Sequence, residues 1–310
     1  MKQTKQWTEA AVLAALYMVL FTIVFFVPFF GTLLLWVLPL PFIINVVRNG
    51  RNAGVAMAAI TLVLSLFFGI QALPLTWTFA SAGVVVGELY RRKASAFFIL
   101  LGGSLAYIFN LVLLYILFIL FAGINPVMDS VESLRDMFIR FTEDSSALMP
   151  EMNQDQLASF LASLEMLQYL VPSILVMTGL MFALLTQLIA NGVLRRLHIE
   201  VEPWKPFSEW TLPKSLIWYY LAVLILSLIG LEEGTPLFIV TSNLLLILEY
   251  AMIVQGFTVV FAFSRWKGWS RAVPIIVVVG SVLFVFPLQL VKLLGIIDLG
   301  FNLRKRMTFK

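Results

Sequence analysis

The sequence is dominated by apolar runs about as long as a bilayer core is thick. Of its 310 residues, 61% are hydrophobic and only 12% are charged, whereas a soluble domain carries about 25% charged residues. Crossing a hydrocarbon core of about 30 Å takes about 20 helical residues. Because backbone polar groups in lipid must be satisfied within their own segment, the runs predict an all-α, polytopic transmembrane bundle with eight to nine membrane segments. The nine candidate spans are 10–27, 31–47, 54–70, 74–90, 94–122, 172–191, 215–231, 236–263 and 272–297.

A single integral membrane domain over 1–310 is expected, with one polar interval inside it. Five runs precede the interval and form an N-terminal half over 1–122. The interval itself covers 123–171, and the C-terminal helices follow over 172–310.

The polar interval predicts two amphipathic helices on the outer side of the membrane. Apolar residues recur at helical spacing behind Asp129 and Ser130, which could cap the first helix. A second helix is expected from Asn153, where Gln156 completes a capping-box pattern. Helices lying on the outer surface or capping the bundle are the expectation, and a lid over a substrate entrance is the alternative.

The lysines and arginines between the runs indicate the direction of the crossings. If the N-terminus is cytosolic, the inward loops collect fourteen basic residues and the outward loops only two, Arg135 and Arg140. That asymmetry is the positive-inside pattern. The first run exceeds a signal-peptide core and no small-residue cleavage site follows Val27, so it is interpreted as a retained helix.

Two topologies stay open at the last run. A single span over 272–297 would place the basic tail, Arg304 to Lys310, outside and against the positive-inside pattern. A break at Pro287 would form a helical hairpin and return the tail to the cytosol. Each half would have about 14 residues and only about 21 Å of helix. Charge therefore favours the hairpin, which we expect, and length favours the single span.

Glu249 is the first candidate for a solute or ion site. It lies near the middle of a long apolar run, where a carboxylate costs about 2.5–3.5 kcal/mol on insertion scales. Ser242, seven residues earlier, shares its helix face. In the hairpin topology Lys292 reaches mid-membrane depth and neutralises Glu249, whereas in the single span it extends to the interface. A structural hydrogen bond between helices is the alternative role for Glu249.

Further polar residues follow small ones at four-residue spacing within two other runs. One stripe ends at Asn110 and the other at Gln187 and Asn191. Both stripes could line a polar cavity, and interhelical hydrogen bonding is the alternative.

Two features indicate contact with partner proteins. Small residues at four-residue spacing allow close approach of a neighbouring helix, and those of the first run are Ala10, Ala11, Ala14 and Ala15. Packing within the bundle is the alternative for them. A proline-rich inward loop carries three aromatic residues that either anchor it to the membrane interface or dock a cytosolic partner: Trp204, Phe207 and Trp210.

Several classes of chemistry are excluded or not expected. The chain has no cysteine and a single histidine, His198, which excludes thiolate sites and the histidine clusters of zinc proteins. It contains no P-loop and no dinucleotide-binding glycine motif. The basic residues are dispersed between apolar runs, so nucleic acid is not indicated. We expect no enzyme activity, no cofactor and no metal.

Three stretches carry a family resemblance. They are 38–51, with its Leu-Pro-Leu-Pro-Phe opening; 202–214, with the Pro-Phe-x-x-Trp-x-Leu-Pro pattern; and the closing 295–298 with 304–306. In these the chain resembles the YybS-like family of uncharacterised bacterial membrane proteins. The resemblance implies a multi-pass protein of the bacterial cytoplasmic membrane, and the family has no agreed activity.

A looser similarity concerns 8–70, with its alanine-rich first helix, proline-marked second helix and basic loop. This part looks like the opening of the substrate-binding subunits of energy-coupling-factor transporters. The similarity implies that the first helix contacts a membrane partner subunit. Those subunits have about six helices, so no vitamin site is carried over. Two functions are therefore expected as alternatives: binding or transport of a small solute, or a scaffold that docks a membrane or cytosolic partner.

Overall fold

The computed structural model describes residues 2–144 and 154–306, which form helices and connecting segments without a β-strand. The all-α prediction is confirmed. In chain order the helices are α1 Lys2–Phe26, α2 Pro28–Leu34, α3 Leu40–Asn49, α4 Arg51–Ser65, α5 Ala72–Arg91, α6 Ala96–Leu117, α7 Pro126–Asp144, α8 Gln154–Met166, α9 Val171–Arg196, α10 Ser215–Leu228, α11 Pro236–Trp266, α12 Ala272–Leu283 and α13 Val285–Phe301.

Seven helical stretches of the described chain are long and apolar enough to cross a membrane: Gln6–Phe26, Phe29–Asn49, Arg51–Phe68, Ala72–Arg91, Ala96–Ala122, Ala158–Arg196 and Pro236–Trp266. Each overlaps a predicted span, although Ala158–Arg196 begins within the predicted polar interval and extends well before the span expected from 172. The two remaining predictions correspond to the shorter apolar helix α10 and to the bent pair α12–α13. The polytopic bundle therefore follows the predicted order of segments.

The contacts of the chain group it into two compact units. The N-terminal unit consists of Met1–Ser133 and Ile174–Pro203, and the C-terminal unit consists of Leu134–Ser173 and Trp204–Lys310. The single domain over 1–310, with its boundaries after 122 and 171, stays a prediction.

Aromatic side chains form the centre of the N-terminal unit. Tyr17, Phe21 and Phe42 are fully buried, and the rings of Tyr17 and Phe42 meet edge to face at 4.9 Å. Helix α3 packs closely on α5 because Gly83 and Gly87 present no side chain to it: a methyl group at Gly87 would lie 3.0 Å from Cα of Ile43. This small-residue pair therefore packs the bundle internally.

In the C-terminal unit, α11 and α13 cross at two glycines. A methyl group on Gly256 would overlap the carbonyl oxygen of Val291, and one on Gly295 would overlap that of Met252. The two backbones can approach this closely only where both helices lack a side chain. The crossing sets the positions of every other residue on these two helices.

The last apolar run is broken, although not at Pro287. Phe284 has extended backbone angles (φ −123°, ψ 127°) between α12 and α13, and the two helix axes are bent by 119°. The structure therefore has the two-helix form of this segment in place of a straight single span. Pro287 lies in the first turn of α13, where the missing N–H of proline removes no helical hydrogen bond.

The polar interval contains the two expected helices, α7 and α8. Helix α7 begins at Pro126, and the Asn125 side chain accepts a hydrogen bond from the Met128 amide at 3.2 Å. Asn125 is therefore the cap, and the prediction of Asp129 and Ser130 was wrong because a proline at the first helical position favours the earlier start. Asn153, the predicted cap of α8, lies outside the described residues.

Candidate functional site

An ion pair joins α11 and α13 within the membrane-spanning part of the C-terminal unit. Nζ of Lys292 lies 2.7 Å from Oε1 of Glu249, and the two side chains are 15% and 33% exposed, respectively. Glu249 is the fourteenth of the 31 residues of α11. Tyr220 of α10 is buried and interacts electrostatically with both charges. The contact expected for the two-helix form of the last run is present.

The surroundings of the ion pair differ along α11. Ser242 is half-buried, and the described residues provide no hydrogen-bond partner for its hydroxyl. It lies about 10 Å from Glu249 along the helix axis. In the opposite direction the face is closed at Gly256, where α13 packs directly on α11.

Asn243 and Gln255 point away from Glu249 and are hydrogen-bonded within the C-terminal unit. The Asn243 side chain accepts from the Ser173 amide at 2.8 Å and donates to the Tyr169 carbonyl at 2.6 Å. Gln255 accepts from the Leu212 amide at 3.0 Å. Each of these two side-chain amides both donates and accepts a hydrogen bond and so connects separate segments of the unit.

A buried charge cluster that the sequence analysis did not single out surrounds Asp298. Its carboxylate, 4% exposed, accepts from Nη2 of Arg304 at 2.8 Å and from Nε at 3.0 Å, and from Nε2 of Gln255 at 2.6 Å. Arg304 reaches back because Asn302 has left-handed backbone angles (φ 50°, ψ 56°) after the end of α13. The signal in the sequence was the only aspartate inside an apolar run.

The same arginine holds the aromatic loop, defined as residues 204–214. Nη1 of Arg304 donates to the carbonyl oxygens of Trp210 at 2.7 Å and of Ser208 at 3.2 Å. Together with Gln255, which binds the amide of Leu212, this cluster fixes the loop to α11 and α13. We call Asp298, Gln255 and Arg304 the C-terminal clamp.

The rings of the aromatic loop pack on one another. Trp204 and Trp210 stack at 4.9 Å, and Phe207 meets Trp210 at 5.3 Å and Phe261 of α11 at 5.2 Å. All three loop rings are half-buried. The rings thus pack within the protein, and both membrane anchoring and docking of a cytosolic partner by these residues stay predictions.

The polar residues of the N-terminal unit form hydrogen bonds between its helices. Asn110 donates to Oγ of Ser81 at 2.8 Å, and Gln187 donates to the Ala96 carbonyl at 2.8 Å. Asn191 accepts from the Tyr90 hydroxyl at 2.6 Å. These bonds favour the interhelical alternative over a polar cavity, and a solute role for the three amides stays a prediction.

The small residues of α1 divide between two faces. Ala10 and Ala14 are buried, and Ala14 belongs to the apolar core of the N-terminal unit. Ala11 and Ala15 are exposed. The first pair therefore packs the bundle, and only the second pair is available to a partner helix.

We expect leucine at these two neighbouring positions to have opposite consequences. Ala14→Leu overpacks the core and lowers the free energy of unfolding by about 1–3 kcal/mol, whereas Ala11→Leu changes it by less than about 0.5 kcal/mol. Thermal unfolding of both variants in one detergent measures the difference. Equal destabilisation would contradict the assignment of the two faces.

No group of three histidine, cysteine, aspartate or glutamate side chains suited to a metal ion occurs among the residues that the structure describes. The acidic residues Glu249 and Asp298 are instead paired with Lys292 and Arg304. The long apolar helices, the bent helix pair and the ion pair between α11 and α13 together define a polytopic α-helical membrane protein.

Comparison with known proteins gives the family. The chain belongs to the family described as "Predicted membrane protein (DUF2232)", whose model matches residues 15–299. It is 32% identical over 311 residues to "Uncharacterized protein YybS" of Bacillus subtilis (strain 168), covering 99% of this chain and 100% of the relative. No solved structure matches the chain. The expected relationship to YybS is confirmed, and the similarity to energy-coupling-factor subunits stays a prediction.

Proposed function

We propose that the protein binds a small polar solute in the bacterial cytoplasmic membrane, as a carrier or as the membrane subunit of a larger transporter, and that it acts as a binding protein and not as an enzyme. The observation that carries the proposal is the Lys292–Glu249 contact of 2.7 Å between two membrane helices. The N-terminus of the protein is proposed to be cytosolic because the basic residues are concentrated in the loops that would then face the cytosol.

The energetics of the ion pair support a role beyond stability. Two charges taken out of water lose more solvation than their attraction returns unless the geometry is excellent, and apolar residues often stabilise such a position equally well. Ionisable residues inside membranes are rare and mark substrate or proton pathways. A solute that carries its own charge can replace either partner, so the pair provides a switchable binding site.

The bent pair α12–α13 supports the same proposal. Transporters place solute sites beside discontinuous membrane helices, because the broken backbone supplies polar groups at membrane depth. Here Lys292 lies on α13, eight residues after the break at Phe284. One partner of the charged contact therefore lies on the broken helix itself.

We expect Glu249→Gln to weaken solute retention while the protein still folds, because glutamine can accept a hydrogen bond from Lys292 without offering it a counter-charge. Small molecules that co-purify with the full chain in nanodiscs would be identified by mass spectrometry and compared between proteins. The retained amount of at least one compound is expected to fall about tenfold in the variant, which corresponds to a loss of about 1.4 kcal/mol in binding free energy.

Glu232→Gln is the matched control, because Glu232 is an exposed acid in the connection before α11. It should retain the compound at the wild-type level. An identical set of co-purified molecules in wild type and Glu249→Gln would remove Glu249 from any solute site, and size-exclusion chromatography would verify that each protein is folded.

A further inference from the structure

A polar pocket lies in the N-terminal unit, apart from the ion pair of α11 and α13. It forms where the turn between α3 and α4 meets the end of α5, and it has a volume of about 320 Å³. Asn49, Gly50, Arg51, Asn52, Glu88, Arg91 and Arg92 line it. None of these residues was a candidate site residue in the sequence analysis, where the basic ones served only to orient the loops.

The pocket carries a net positive charge. Its three guanidinium groups and one carboxylate sum to 3 − 1 = +2. Glu88 accepts from Nε and Nη2 of Arg91 at 2.7 and 2.8 Å and from Nε of Arg92 at 2.6 Å, which fixes both arginines. Nη1 of Arg91 and both terminal nitrogens of Arg92 have no hydrogen-bond partner among the described residues. Arg51 has no ion-pair partner among the residues that the structure describes.

The backbone adds further donors at the same place. Gly50 has a φ of 90°, a conformation that residues with a side chain rarely adopt. The chain turns sharply there, so that α4 begins directly at the pocket and no side chain caps its first amides. Those amides supplement the guanidinium groups, since free N–H groups at a helix start attract anions.

We propose that this pocket binds a phosphate group. Guanidinium groups bind phosphate oxygens through paired, charge-assisted hydrogen bonds, and here two of them are held in place by Glu88 while Arg51 is free to close on the ligand. The pocket lies at the ends of three membrane helices. The phosphate therefore comes either from the headgroup of an anionic lipid or from a soluble phosphate compound.

The test compares Arg51→Gln with Arg196→Gln in the full chain. Both remove one exposed arginine charge, and Arg196 lies outside the pocket. In the first arm, native mass spectrometry follows binding of dioleoyl phosphatidylglycerol, with dioleoylglycerol as the lipid that lacks phosphate. In the second arm, calorimetry follows binding of inorganic phosphate at constant ionic strength.

Arg51→Gln is expected to weaken phosphate binding by at least about tenfold, because charge-assisted hydrogen bonds are lost, while Arg196→Gln stays within twofold of wild type. Loss in the lipid arm alone identifies a headgroup, and loss in the phosphate arm identifies a soluble ligand. Asn52→Asp, which adds a negative charge to the pocket, should weaken binding in the same arm. Equal binding by wild type and Arg51→Gln in both arms, or an equal loss in Arg196→Gln, would overturn the proposal.

Discussion

Replacing Asp298 with alanine is expected to lower the free energy of unfolding by about 3–5 kcal/mol, because it leaves the Arg304 guanidinium buried without its counter-charge. The Asp298 carboxylate is 4% exposed and the Arg304 side chain 12%. The loss should extend to the aromatic loop, since Arg304 also binds two of its carbonyl oxygens. Unfolding in detergent gives the stability, and the rate of trypsin cleavage after Lys214 reports how freely the loop moves.

Glu209→Ala is the matched control for this prediction. Glu209 lies in the same loop and forms an ion pair with Arg265 at 3.0 Å, but its side chain is 49% exposed. An exposed pair contributes only about 0–1 kcal/mol. If Asp298→Ala were no more damaging than Glu209→Ala in both measurements, the C-terminal clamp would not hold the loop.

Gly256→Ala is expected to destabilise the protein by at least about 3 kcal/mol, at the upper end of the usual cost of overpacking, because a rigid backbone opposes the new methyl group. That methyl group would overlap the carbonyl oxygen of Val291, so α11 and α13 must separate. Separation also lengthens the contact between Lys292 and Glu249. Thermal unfolding and the amount of folded protein recovered from membranes report the effect.

The control lies in the neighbouring helix. A methyl group on Gly280 of α12 has no atom within 4 Å, so Gly280→Ala should leave stability unchanged or raise it by a few tenths of a kcal/mol through the loss of glycine flexibility. A recovery of Gly256→Ala equal to that of Gly280→Ala would show that α11 and α13 do not cross at Gly256.

The membrane helices could be predicted because their cause is local. A run of apolar residues has to satisfy its own backbone in lipid, so the apolar stretches containing Tyr17 or Asn110 become helices whatever surrounds them. The pairing of Glu249 with Lys292 was also predictable, conditional on the hairpin topology, because few other groups at that depth could offset a carboxylate.

The break and the clamp depended on contacts between distant segments. Nothing local distinguishes Phe284 from its apolar neighbours, and the sequence therefore suggested Pro287 as the break. The Asp298–Arg304 contact requires the reversal of the chain at Asn302, which a helical pattern does not reveal. The role of Asn110 was ambiguous for a different reason, because a side-chain amide can either line a polar cavity or form a hydrogen bond between helices. Its partner Ser81 is 29 residues away in the sequence, so the pattern around Asn110 does not reveal the bond.

The bend at Phe284 has a consequence for the surrounding lipid. Helices α12 and α13 contain 12 and 17 residues, about 18 and 25 Å of length, so neither alone matches a hydrocarbon core of about 30 Å. Exposed Val282 to Phe286 form an apolar tip at the bend, which in a membrane would contact acyl chains. Because each ångström of hydrophobic mismatch costs a fraction of a kcal/mol, we expect acyl-chain length to influence the position of Lys292 relative to Glu249.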